Sequence, residues 1–297
     1  MTLWPPGRQI SEHVHQLTIP FSIPVAPNRS LIRSVLIHLI VDRRICLIDT
    51  GVSGSETPIF HYIRTLRRKP SEIAMIVLTH SHPDHAGATS TIRKATGCRV
   101  AAHRAELPWL EDPSRQNQER PIPGFNDLFS EPVHPDIEIT GGGPLEIDDD
   151  LRIDLFHTPG HSRGSISAWF ERDRVLLTGD AVPVPGAPPI YDDAVSTAQS
   201  LLMLRKIPRI RFMLAAWDPP KKDGECYKAM DDAMFYVQRV HEAVLRAGGP
   251  TDPDPRYLCR QVMEILGLPP GDINPLLMRT FSSHWNTRDR KDLFSSR

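Results

Sequence analysis

Cysteine is scarce: the chain holds 4 in 297 residues. Cys46, Cys98, Cys226 and Cys259 lie far apart, and no two form a CxxC pair. That spacing argues against a zinc ribbon or a disulfide framework, and reduced thiols fit a cytoplasmic chain. Cys46 sits inside the apolar run RICLID and reads as a small buried hydrophobe. The opening MTLWPPGRQISEH has no basic segment followed by an apolar run, so a secretory signal is not expected. No stretch approaches the ~18 uninterrupted apolar residues of a membrane span. With 35 basic and 36 acidic residues the formal net charge is −1. No global field then draws the chain to nucleic acid or an anionic membrane, and a small molecule is the expected partner. Internal repeats and low-complexity tracts are also missing.

What is present suits a globular enzyme. The length allows one large domain with an appendage, and 40% hydrophobic residues can fill a sizeable core. The 29 prolines predict stiff, turned connections. Ser34 to Val41 and Ile45 to Ile48 read as strands joined by a hairpin over Asp42-Arg43-Arg44. Thr57 to Arg67 has helical spacing, Ile73 to Leu78 is a buried strand, and Ala88 to Ala95 is a helix closed by Gly97. Arg99 to Ala102 is a further short strand. Glu111 to Gly143 lacks a sustained period and reads as a long surface excursion that can border a pocket. Strands resume at Leu151 to Phe156, Ser165 to Phe170 and Arg174 to Leu177. A helix over Thr197 to Lys206 and a strand over Ile210 to Ala215 follow. From Glu225 the pattern turns helical, over Tyr227 to Ala247 and Pro255 to Leu266. The division is residues 1–222 as a catalytic domain and 223–297 as a helical appendage. Val237, Val240, Val244 and Leu245 could face that domain or a second copy, which leaves a homodimer open.

The 13 histidines are unevenly spread. Three of them and an aspartate crowd into THSHPDHAG, Thr79 to Gly87, just past a strand. In extended chain, His80 and His82 at i, i+2 point to one side and can converge on one ion. Asp84 and His85 lie beyond Pro83, where the chain turns, and can face a second position. Imidazole and carboxylate suit Zn²⁺, and histidine also suits iron or manganese. Further ligands must come from afar, and His161 (HTPGHSRGS) and Asp180 (LLTGDAV) each follow a strand. A carboxylate between two cations can bridge them.

IDTG at Ile48 to Gly51, THSHPDHAG, HTPGHSRGS and LLTGD together resemble the metallo-β-lactamase superfamily of metal-dependent hydrolases, over roughly Val35 to Pro220. The resemblance implies an α/β fold, a four-layer αββα sandwich with a dinuclear site at one edge of two sheets. It implies that His80, His82 and His161 hold one metal, that Asp84 and His85 hold another, that Asp180 bridges, and that Asp49 orients ligands from behind. The family usually offers one more histidine after its final strand. This chain has LAAWDPP there, with Trp217 in the expected place. Three outcomes stay open: Asp218, the nearest ligand-capable side chain, replaces it; the second site is weak; or a tail histidine such as His284 reaches in.

Two cations about 3.5–4 Å apart can share one water and bring its pKa toward neutrality, so metal-assisted hydrolysis is the expected reaction. The resemblance implies that Asp84 shuttles the proton. Tyr191 and Arg163 are candidates to touch the substrate, and a small ester, thioester or lactone is the expected class. The alternatives are an iron-dependent sulfur dioxygenase-like oxidoreductase and a binding module with lost catalysis.

Overall fold

The aliphatic runs pair into two sheets. The computed structural model describes residues 7–26, 29–129, 131–249, 252–269 and 273–295. The first sheet has 7 strands in sequence order. They are β1 (Arg8–Gln9), β2 (Val14–Ala26), β3 (Arg29–Val41), β4 (Ile45–Ile48), β5 (Ile73–Val77), β6 (Arg99–His103) and β7 (Ile137–Ile139). The second has 6, β8 (Gly143–Glu146), β9 (Arg152–His157), β10 (Ile166–Phe170), β11 (Val175–Gly179), β12 (Phe212–Ala215) and β13 (Lys221–Lys222), again in order. Pairing is antiparallel through β4 and parallel from β4 to β7. In the second sheet only β11–β12 is parallel.

The helices are α1 (Glu56–Thr65), α2 (Pro83–Ala86), α3 (Thr89–Thr96), α4 (Leu107–Leu110), α5 (Pro113–Glu119) and α6 (Phe125–Leu128). After them come α7 (Ala194–Leu204), α8 (Gly224–Gly248), α9 (Pro255–Leu266) and α10 (Pro275–Trp285). Strand alternation divides the core into layers, because both faces of each sheet are covered. Ile45 and Leu47 pack outward with Ile59 and Ile63 of α1 and Ile92 of α3. Cys46 and Ile48 pack inward with Leu155, Ile166, Phe170 and Leu177 of the second sheet. On the far side of that sheet, Trp169, Leu176 and Met213 meet α7 and the start of α8. The result is the expected four-layer αββα sandwich.

The rest of α8 joins α9 and α10 in a separate cluster that includes Val240, Val262 and Phe281. Thus Val237, Val240 and Val244 are buried within the chain itself. Asp254 caps α9 by accepting from the backbone N–H groups of Arg256 and Tyr257 at 3.0 and 2.9 Å, with Pro255 in the first turn.

Three segments differ from expectation. The long strand β2 was masked in the sequence by Pro20 and Pro24. Beyond the short pairing with β1 at His15 and Gln16, β2 is an edge, where proline's missing N–H costs no ladder bond. The excursion from Glu111 to Gly143 carries α5, α6 and β7 and is not a bare loop. A third tail helix, α10, was legible in its Asn274-Pro275 start and in Leu277, Phe281 and His284 at helical spacing.

Candidate metal centre

The histidine loop leaves β5 at the edge where the two sheets meet. The backbone N–H of Ile166, at the start of β10, donates to the Thr79 carbonyl at 2.9 Å, so the second sheet is tied to that loop. The β11 exit passes the same point. Gly179 has φ 51°, and a Cβ there would stand 2.7 Å from Thr79 Oγ1. Only glycine lets the backbone come this close and carry Asp180 to the cluster. Gly160 does the same for His161: its φ is +140°, and an added Cβ would meet Thr197 Oγ1 at 2.3 Å.

Among the described residues two groups of ligand atoms converge, each within 4.8 Å of one another: His80, His82 and His161, and His80, His85 and Asp180. Asp180 faces both, with Oδ1 at 3.4 Å from His85 Nε2 and Oδ2 at 3.3 Å from His161 Nε2. Asp84 Oδ2 lies 3.5 Å from His85 Nε2. His161 Nε2 and His82 Nδ1 face each other at 2.9 Å.

The back sides of the rings are held. His85 Nδ1 donates to Asp49 Oδ2 at 2.8 Å, and Asp49 also accepts from the Thr79 N–H and hydroxyl at 2.7 and 2.8 Å. To reach these partners Asp49 takes φ 65°, a strained conformation for a non-glycine residue. His161 Nδ1 donates to the Ile190 carbonyl at 2.7 Å. These bonds fix the tautomers and leave the Nε2 lone pairs of His85 and His161 turned toward Asp180. His80 Nε2, His85 Nε2 and Asp180 Oδ1 are buried with no hydrogen-bond partner. A buried polar atom without a partner costs about 1–3 kcal/mol. Neutral imidazole nitrogens and carboxylate oxygens left this way fit a divalent cation.

The electrostatics agree. Burial, with neighbouring imidazoles, holds His80 and His82 well below the usual histidine range, so both are neutral donors. Burial opposes charge on His85 too, but Asp180, Asp49 and Asp84 outweigh it and raise its pKa well above the usual value. For Asp180, burial is overcome by His85 and His161, and its carboxyl is held down. The three carboxylates thus favour positive charge at the point they surround.

Three candidates make other contacts in this structure. Asp218 is absent from both converging groups: its Oδ2 pairs with Lys221 Nζ at 2.9 Å. At this point the Trp217 indole N–H donates to Asp180 Oδ2 at 3.2 Å. His284 does not reach in, because its Nε2 meets the Tyr191 hydroxyl at 2.7 Å and its Nδ1 meets His241 Nδ1 at 3.3 Å. Tyr191 is 1% exposed, and its hydroxyl serves that internal bond. Arg163 is exposed, and its charge acts on Glu119.

Several functional neighbours escaped sequence reasoning. Glu106 is 2% exposed and clasps both histidine loops. Oε2 accepts from the Ser81 N–H at 2.9 Å and from the Ser81 hydroxyl, while Oε1 accepts from the Gly164 N–H at 2.6 Å and from the Ser162 hydroxyl. Gln116 of α5 donates to the Ser81 carbonyl at 2.9 Å. The Trp109 ring lies 6.0 Å from that of His82. No local pattern marks these residues; an acidic residue just past strand β6 was the one available signal for Glu106.

The pattern of the Metallo-beta-lactamase superfamily matches residues 31–212. A probable metallo-hydrolase of Bacillus subtilis, YqgX, is 31% identical over 160 residues, 54% of this chain and 69% of that protein. A hydroxyacylglutathione hydrolase of Ectopseudomonas mendocina is 28% identical over 57% of this chain and 54% of that protein. In fold, a metallo-beta-lactamase family protein of Thermus thermophilus superposes with a TM-score of 0.69 over 91% of both chains at 20% identity. The matched pattern takes in β5, β9 and β11, whose ends carry the converging histidines and aspartates, and on that ground the chain belongs to the metallo-beta-lactamase superfamily and is a metallo-hydrolase.

Proposed function

We propose that the chain is a zinc-dependent hydrolase of small esters, thioesters or lactones. The observation that carries this reading is the set of buried, partnerless donor atoms on His80, His85 and Asp180, backed by hydrogen bonds that fix the tautomers of His85 and His161. His80, His82 and His161 would hold one ion. His85, Asp84 and Asp180 would hold a second, with Asp180 shared between them. A bound divalent ion supplies Lewis acidity toward a carbonyl oxygen and a water acidic enough to react near neutral pH.

The protein's own groups do the rest. Asp49 keeps His85 from turning. Asp84 is the most accessible carboxylate of the cluster, 18% exposed against 11% for Asp180. In this reading it would take a proton from the attacking water and return it to the leaving group. The hydroxyacylglutathione hydrolase among the relatives supports an acyl substrate. The test is removal and return of metal, with nitrophenyl and thioester substrates. Activity lost on chelation and restored by zinc is the expected result. Full turnover by verified metal-free protein would end the proposal, and iron content with oxygen uptake would move it to the oxidoreductase branch.

A further inference from the structure

Arg120, at the end of α5, is 6% exposed, and its Nε is buried without a partner. Among the described residues its guanidinium makes no hydrogen bond or ion pair. This is an unusual state, because a buried charge costs several kcal/mol unless it is compensated. The charges that act on it are those of Asp192, Asp84, Asp180 and Arg279. Its backbone N–H donates to the Gln116 carbonyl at 2.7 Å and the Gln116 side chain donates to the Ser81 carbonyl at 2.9 Å, so Arg120 lies one helical turn beyond the residue that touches the histidine loop, and its charge acts on His82. The nearby acids are already committed. Asp192 Oδ2 pairs with Arg279 Nη1 at 3.2 Å. Asp84 and Asp180 face His85, and cations would claim both of them in the loaded enzyme. Arg279 also donates from Nη2 to the Glu119 carbonyl at 2.5 Å, which fixes the backbone next to Arg120. The cation is thus held in place by the chain and left unpaired by it.

We infer that Arg120 binds a carboxylate of the substrate, so that the ester, thioester or lactone hydrolysed here carries an anionic group. This rests on the hydrolase reading for the reaction, but the anion site stands or falls separately. A planar guanidinium matches a carboxylate fork, and such a pair is strong where water is excluded.

The test compares mono(nitrophenyl) adipate with nitrophenyl hexanoate, esters of equal chain length that differ in the terminal carboxylate. The zinc-loaded wild type is expected to prefer the adipate. Arg120→Met should lower kcat/KM for the adipate by ~100-fold and leave the hexanoate within a few-fold, as for loss of one partner of a buried charge pair. Arg120→Lys, which keeps the charge without the fork, should recover part of the preference and serves if the methionine variant does not fold. Free adipate should raise the melting temperature of the wild type and not that of either variant to the same extent. Equal losses on both esters, or a preference that disappears with Arg163→Met instead, would overturn the inference. If neither ester is hydrolysed but adipate still stabilises the protein through Arg120, the anion site stands and the proposed acyl-ester substrate class falls.

Discussion

Replacing Glu106 should weaken metal binding without touching a metal ligand. Its carboxylate is the common acceptor for four donors, two on Ser81 and one each on Ser162 and Gly164. Ser81 lies between His80 and His82, and Ser162 follows His161, so one side chain sets the spacing of the three histidines. In Glu106→Ala the Ser81 and Gly164 N–H groups lose their acceptor. At about 1–3 kcal/mol per buried unsatisfied donor, the fold should lose roughly 2–6 kcal/mol. Glu106→Gln is the cleaner probe. Its carbonyl can serve one pair of donors, and a serine hydroxyl can turn to accept from the new amide. One backbone N–H is then stranded, for a loss of about 1–3 kcal/mol. Because the histidine loops are no longer clasped, zinc affinity should fall ~10–100-fold, as for other groups that support metal ligands. A competition titration against a chromophoric chelator reads the affinity, and melting of metal-free protein reads the fold. A folded Glu106→Gln protein with wild-type zinc affinity would refute the argument.

Two further predictions follow from neighbouring groups. Trp217→His puts an imidazole where an indole now contacts Asp180, and should raise affinity for a second zinc by ~10-fold or more, read as zinc per chain at fixed free zinc; unchanged loading would mean that this position does not face the second ion. Burial, with Arg8 and His85, lowers the His38 pKa from 6.5 to about 3. The unfolded chain therefore binds this proton below pH 6.5 and the native chain does not, so metal-free protein loses stability as pH falls through that window, by about 2 kcal/mol at about pH 5. His38→Gln should flatten the pH dependence of the urea midpoint by that amount, and an unaltered slope would contradict it.

Most strands and the heart of the cluster were legible in the residues alone, while the layering of the sheets came from the family resemblance. Ile45-Cys46-Leu47-Ile48 and Ile73 to Val77 announce strands by local composition, and the crowding of His80, His82, Asp84 and His85 needs no partner elsewhere to be noticed. Proximity in sequence and the period of a strand are both local, so they survive in one dimension. What each polar side chain meets is not local. Asp218 and Tyr191 were candidates by position alone, and in the fold Lys221 pairs with one and His284 with the other. Glu106, Gln116 and Arg120 carry no motif, and they matter because the excursion folds back over the histidine loop, which brings Gln116 to a backbone 35 residues earlier in the chain. Periodicity dictated where strands and helices form; only the packing of the second sheet and the excursion onto the first decided which donors remain unpaired, because a buried group is satisfied or stranded by neighbours that sequence distance does not reveal.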